Sequence, residues 1–230
     1  MKRLLTATLV AVCCMSCEHK QDARPEAAPQ PTEATSHEFL SAVINSLSQV
    51  HSGFGMVQSA AAQNELVELM TANQNATIAI RMGENLIKPF ANSRDSTRQS
   101  AVSAIVSSYD MFQTSLQIQL AGYEHIDSAQ TTHDFLGLRR RASDAKVDYK
   151  QGSAILADAV ALAFGSSVVE APGDTAHIAL NMSDADRLSL VAELDSLMGP
   201  EVRGTHETTG AMSAARDLRR ALDKPWRTAR

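Results

Sequence analysis

Val102, Ile105, Val106, Tyr109, Phe112, Leu116, Leu120 and Tyr123 recur every three or four residues without a break, and this stripe constrains the fold more than any other stretch of the chain. Such spacing places all of them on one face of an α-helix, with Gln113, Gln117 and Gln119 off it. The pattern predicts a helix from about Arg94 to Ile126, roughly 50 Å long at a rise of about 1.5 Å per residue. Thr131-Thr132-His133-Asp134 then opens a second helix of similar length, capped by Thr131, with Phe135, Leu138, Ala142, Ala145, Tyr149, Leu156 and Val160 inward. Two long helices joined by about five residues are antiparallel neighbours. The expectation is an all-α, antiparallel bundle of about five to six helices with these two at its centre.

The flanking segments fit that reading. Thr35-Ser36-His37-Glu38 is a capping box that starts a helix carrying Leu40, Val43, Ile44, Leu47, Val50, Phe54 and Val57 on one face. Gly53 and Gly55 interrupt it and predict a kink or a close helix contact. The pattern resumes through Leu66, Leu69 and Met70, Asn73-Gln74-Asn75 marks a turn, and a second helix is expected from about Ala76 to Ile87, ending before Pro89. Asn92, Ser93 and Asp95 offer caps for the first long helix. The run from Ala154 to Phe164 is apolar on nearly every side except Asp158, which predicts a deeply placed helix end. Glu170 to Ala179 reads as a loop, and no alternating strand pattern is present. Ser183-Asp184-Ala185-Asp186 caps a short helix with Leu188, Val191, Leu194 and Leu197 inward, stopped by Gly199-Pro200. A last helix from about Glu207 to Leu222 buries Met212, Ala215, Leu218 and Leu222. Aromatics are only 4% of the chain, so the core is built from Leu, Ile, Val, Met and Ala.

Little along the chain points to chemistry. Glu124, His125, Asp127, His133 and Asp134 crowd the turn between the long helices and are metal-ligand types, but they match no H-E-x-x-H or di-iron spacing. A solvated polar turn competes with a metal site there. His51 lies on the Leu47 and Phe54 stripe and reads as a hydrogen-bonded packing histidine at the core edge. Asp158 is expected on a thin exposed strip. Ser143-Asp144-Ala145-Lys146 matches the S-x-x-K pattern of serine-nucleophile enzymes, without the K-T-G or S-D-N elements and without a sheet to carry them. No phosphate loop, dinucleotide fingerprint or C-x-x-C-H haem attachment is present, and no cofactor is implied. Arg139-Arg140-Arg141 reads as an exposed helix face.

The first seventeen residues carry a different message. Met1-Lys2-Arg3 is a basic start, Leu4 to about Val12 is apolar and too short to span a bilayer, and Cys13, Cys14 and Cys17 follow. Cys14-Met15-Ser16-Cys17, with the small Ser16 just before Cys17, resembles a bacterial lipoprotein signal peptide. Cys14 and Met15 depart from the residues that family prefers, and an ordinary secretory signal is the alternative. The resemblance implies cleavage just before a lipidated cysteine and a permanent membrane tether by several acyl chains; Cys17 is the best match, and Cys13 and Cys14, which no small residue precedes, are the weaker choices. Glu18 stands where an Asp retains lipoproteins at the inner membrane in enteric bacteria, so the resemblance implies the outer membrane in preference to the inner.

The organisation expected is therefore a signal peptide at 1–16, lipidated Cys17 with a Pro-containing disordered tether to residue 34, one helical domain over 35–223 and a basic tail over 224–230. The chain carries a net charge of −5, and loss of Lys2 and Arg3 leaves 19 basic against 26 acidic residues, a charge of −7. That balance argues against nucleic acid as a partner. Arg216, Arg219, Arg220, Lys224, Trp226 and Arg227 form a basic end that can meet anionic lipid or an acidic partner. The functional expectation is a periplasm-facing cell-envelope lipoprotein acting by binding or scaffolding, with another envelope protein or the cell-wall layer as partner. A bundle that senses a small ligand or metal is the second reading, and a hydrolase using Ser143 and Lys146 the third.

Overall fold

The computed structural model describes residues 34–63, 65–129, 135–171, 177–199 and 209–223. Over these the chain folds as an all-α bundle of six helices: α1 (Ser36–Gln63), α2 (Leu66–Ile87), α3 (Ser96–Ala129), α4 (Phe135–Gly165), α5 (Asp184–Met198) and α6 (Gly210–Asp223). A short antiparallel ribbon of β1 (Val168–Ala171) and β2 (His177–Leu180), with Val168 opposite Leu180, joins α4 to α5.

The helix starts follow their side-chain chemistry. Thr35 and Glu38 exchange bonds at the head of α1: the Thr35 N–H donates to Glu38 Oε2 at 2.7 Å and the Glu38 N–H to Thr35 Oγ1 at 3.2 Å. Asp95 accepts from the Thr97 N–H at 2.8 Å to start α3, and Ser183 and Asp186 form the same reciprocal box at α5. Gly199 ends α5 with φ of +62°, a conformation glycine adopts without strain.

Two helical hairpins form the body, α1 with α2 and α3 with α4, and both close on small residues. Ser108 Oγ donates to Gly152 O and Ser115 Oγ to Ala145 O, each at 2.8 Å. These bonds fix an antiparallel register that also sets Ala101 opposite Ala159. All six residues are buried, and on each helix they stand seven apart. The first hairpin repeats the device. Ser46 Oγ donates to Gly83 O at 2.8 Å. Gly53 lies so close to Ala76 and Ala79 that a Cβ there would stand 3.1 to 3.2 Å from them. The same register brings the Phe39 and Phe90 rings to 5.2 Å. Tyr109 joins the hairpins. Its hydroxyl lies 2.6 Å from Ser46 Oγ, and because Ser46 spends its proton on Gly83 O, Tyr109 is the donor. Complete burial pushes the Tyr109 phenol above its ordinary pKa, so it remains a donor.

Several expectations need correction. Asn73-Gln74-Asn75 is not a turn, and α2 does not begin at Ala76. The break falls between Gln63 and Leu66, and Asn73 sits buried in α2 on the face that meets α1. Packing against α1 overrides the weak helix propensity of the asparagines. Residues 168–171 and 177–180 pair as strands, each too short for an alternating pattern to register, so both ends of the expected Glu170–Ala179 loop are strand; residues 172–176 lie outside the described residues. Ala142 and Leu188 are exposed, not inward. The Ala154–Phe164 run is not buried all round: Asp158 and Leu162 lie on its exposed face, which smaller alanines complete.

The small-residue closures generate a testable contrast. A Cβ on Gly83 would stand 2.9 Å from the Ser46 carbonyl oxygen, and one on Gly152 would stand 3.0 Å from the Phe112 ring. A Cβ on Gly55 would meet nothing within 4 Å. Gly83→Ala and Gly152→Ala should each lower stability by about 1–3 kcal/mol through overpacking. Gly55→Ala should raise it by about 0.5–1 kcal/mol through helix propensity. Urea unfolding of the three variants checks the difference in sign.

Candidate functional site

Where the α3/α4 seam runs on toward the end of α3, a groove of about 680 Å³ opens between α1, α3 and α4. Its floor is aromatic. Phe54 and Tyr149 line it with their rings 5.0 Å apart and edge-on, and the fully buried Phe112 packs behind both at 5.3 and 5.4 Å. Phe54 and Phe112 belong to the buried core, and Tyr149 is held by the Gly210 N–H, which donates to its hydroxyl at 3.0 Å. Val57, Ile118, Tyr123 and Ile126 continue the apolar lining. Gly122 lies between them, buried, with no heavy atom within 4 Å of where its Cβ would be.

The rim is charged on one side. Arg141, Lys146 and Lys150 of α4 line the groove and are exposed. Arg141 Nη1 donates across to Ala121 O on α3 at 3.1 Å. Gln58 and Gln119 stand on the other lips. Half-burial raises the Tyr123 phenol above its ordinary pKa, so it enters the groove neutral. Among the described lining residues there is no carboxylate, imidazole, thiol or aliphatic hydroxyl. The arrangement can hold an apolar body and attract an anion. A more polar cleft of about 460 Å³ lies between α1 and α5, beside Glu193, which accepts from Ser41 Oγ at 2.8 Å.

The residues singled out in the sequence fall elsewhere, apart from Lys146 and Arg141. Ser143 is exposed on α4 and does not line the groove, while Lys146, one turn on, does. His125 is half-buried near the end of α3. The side chains of Asp127, His133 and Asp134 lie outside the described residues. Among the described residues no three His, Cys, Asp or Glu side chains converge as a metal site would require. Asp158 is exposed. At the basic end, Arg216 is exposed. Arg219 Nε donates to Asp195 Oδ1 of α5 at 2.8 Å and its guanidinium also pairs with Asp223, which together hold its pKa above the ordinary value. Arg220 pairs with Asp217 at 3.1 Å. Lys224, Trp226, Arg227 and the acylation candidate Cys17 lie outside the described residues.

His51 is a clasp between α1 and α6. Buried Thr209 accepts from the Met212 N–H at 3.2 Å, which caps α6, and its Oγ1 lies 3.0 Å from His51 Nδ1. With neutral imidazole, the Thr209 hydroxyl donates to Nδ1. Partial burial holds the His51 pKa below its ordinary value.

A ligand-sensing bundle allows a pocket between the long helices, but the sequence does not mark its lining, because the signal is an absence: a glycine at 122 inside an apolar stripe, facing a helix with Lys146 and Lys150 one turn apart. The chain matches no known family model, no curated protein and no solved structure. The functional reading therefore rests on the chain itself.

The His51 clasp has a pH signature. Because the folded state takes up the proton less readily than the unfolded chain, the stability it contributes is whole above the unfolded value near 6.5 and is lost as pH falls through it toward the lower folded value. Denaturation midpoints measured from pH 7.5 to 5.0 should fall more steeply for the native chain than for His51→Gln, which keeps an acceptor for Thr209 without titrating.

Proposed function

We propose that this chain is a membrane-tethered binding protein of the cell envelope, whose helical bundle takes a small ligand in the groove between α1, α3 and α4 and does no chemistry on it. One observation carries the binding half of this reading. The groove joins an aromatic floor and an unfilled position at Gly122 to a cationic lip, while its described lining holds no carboxylate, imidazole, thiol or aliphatic hydroxyl. Its volume falls inside the range of about 300–1,000 Å³ typical of small-molecule sites. The tethering half is supported by the Met1 to Cys17 pattern and the Pro-containing stretch that follows it.

A scaffolding role through the basic end is the second reading, and it loses support from the intramolecular pairing of Arg219 and Arg220. A metal sensor at the turn between α3 and α4 would have to draw on His125 together with Asp127, His133 or Asp134. The hydrolase reading has Ser143 exposed and away from the groove.

The neutral fluorophore N-phenyl-1-naphthylamine tests the groove. Its emission should rise on adding the native chain. The response should fall at least tenfold with Gly122→Leu, whose side chain fills the groove without meeting any atom at Cβ and improves helix propensity by up to about 1 kcal/mol. An equal response from both, at equal helical content, would remove the groove as the site.

The tether has its own test. Cells fed an alkyne-bearing fatty acid should label the native chain in the membrane fraction and leave Cys17→Ala unlabelled. A native chain that stays unlabelled and retains Met1 would sink the anchor.

A further inference from the structure

Accepting the groove as the binding site, we propose that its ligand is a single-chain anionic amphiphile, an acyl or alkyl chain ending in a carboxylate or phosphate. The charge on the groove is one-sided. Arg141, Lys146 and Lys150 all come from α4, whereas the described lining on α1 and α3 is uncharged. Lys146 and Lys150 stand one helical turn apart, on the same face as Ala142 and Tyr149. No carboxylate pairs with either lysine among the described residues. The nearest acids in sequence, Asp144 and Asp148 on α4 and Glu124 on α3, are not among the residues that line the groove. An anionic head placed at the α4 lip would meet two ammonium groups and the guanidinium that Arg141 holds across to α3. Its tail would then run over the Phe54 and Tyr149 rings toward the space beside Gly122.

The volume limits the tail to one chain. If a methylene takes roughly the 30 Å³ of a liquid water, a twelve-carbon chain needs on the order of 360 Å³. Two sixteen-carbon chains would need on the order of 960 Å³, more than the 680 Å³ present. A neutral apolar ligand would leave the lysines without a role, and a small hydrophilic anion would leave the aromatic floor uncovered.

Calorimetric titration of the full chain with laurate, dodecyl phosphate and dodecanol, each below its aggregation concentration, tests this. At least one of the anions should bind, and which one names the headgroup. Dodecanol should bind at least tenfold more weakly. The double variant Lys146→Glu/Lys150→Glu, altered only at exposed positions, should weaken anion binding at least tenfold and leave dodecanol unchanged. Dodecanol binding as tightly as the anions, or an unaffected double variant, would overturn the choice of an anionic head while leaving an apolar groove in place. Binding of none of the three would overturn both the ligand and the groove.

Discussion

Close approach of helix backbones at buried serines and glycines is the constraint on which the rest of the bundle depends. At Ser46 with Gly83, and at Ser108 with Gly152, a hydroxyl on one helix donates to a carbonyl oxygen on the other. That carbonyl already serves the helix ladder, and its second lone pair takes the extra bond only if no side chain stands between the two backbones. Glycine at these two accepting positions leaves that room, and the small Ala145 leaves enough for the same bond from Ser115. The serine gains as well, because a buried hydroxyl without a partner costs about 1–3 kcal/mol. Tyr109 then ties one hairpin to the other through Ser46, so a single hydroxyl chain passes from α3 through α1 to α2. The two hairpins are thus coupled by a polar thread inside an otherwise apolar core.

The groove follows from the same seam. On α3 the small residues stand at 101, 108, 115 and 122, a seven-residue step that keeps one line facing α4. At the first three positions α4 answers with Ala159, Gly152 and Ala145, and the helices close. At Gly122 the line still presents a small residue, yet nothing lies within 4 Å of the Cβ position, and space opens instead. Aromatic residues are scarce in this chain, and three of them are concentrated beneath that opening. Phe54 and Tyr149, backed by the buried Phe112, give it a floor whose rings have few rotamers and many contacts, a rigid surface in a core otherwise made mostly of aliphatic side chains.

Large apolar residues were legible in the sequence, and they located the helices well. Val102 to Leu116, Leu40 to Val50, and Met212 to Leu222 all turn inward as their spacing requires. The capping boxes at Thr35 and Ser183 and the stop at Gly199 were equally readable, because cap chemistry is local. Two kinds of information were not. Asn73 suggested a turn because its propensity is local, whereas its burial against α1 is a tertiary fact. The small-residue lines were passed over because periodicity is sought in large side chains, and alanine, serine and glycine look like filler until the helices are placed side by side. Ala142 misleads for the opposite reason: it continues the stripe on α4 but falls where the seam has already opened.

This division also separates what the fold needs from what a ligand would read. Phe54 and Phe112 belong to the continuous core, so a change there alters stability before it alters recognition. Arg141, Lys146 and Lys150 are exposed, and Lys146 and Lys150 make no hydrogen bond or ion pair among the described residues, so substitutions at the lysines cost the fold little. Gly122 is the intermediate case: it is buried, yet its neighbours would tolerate a side chain. The groove therefore has a floor held by folding and a lip that folding leaves free. Ligand preference can change through the lip lysines while the serine and glycine seams keep the helices in place.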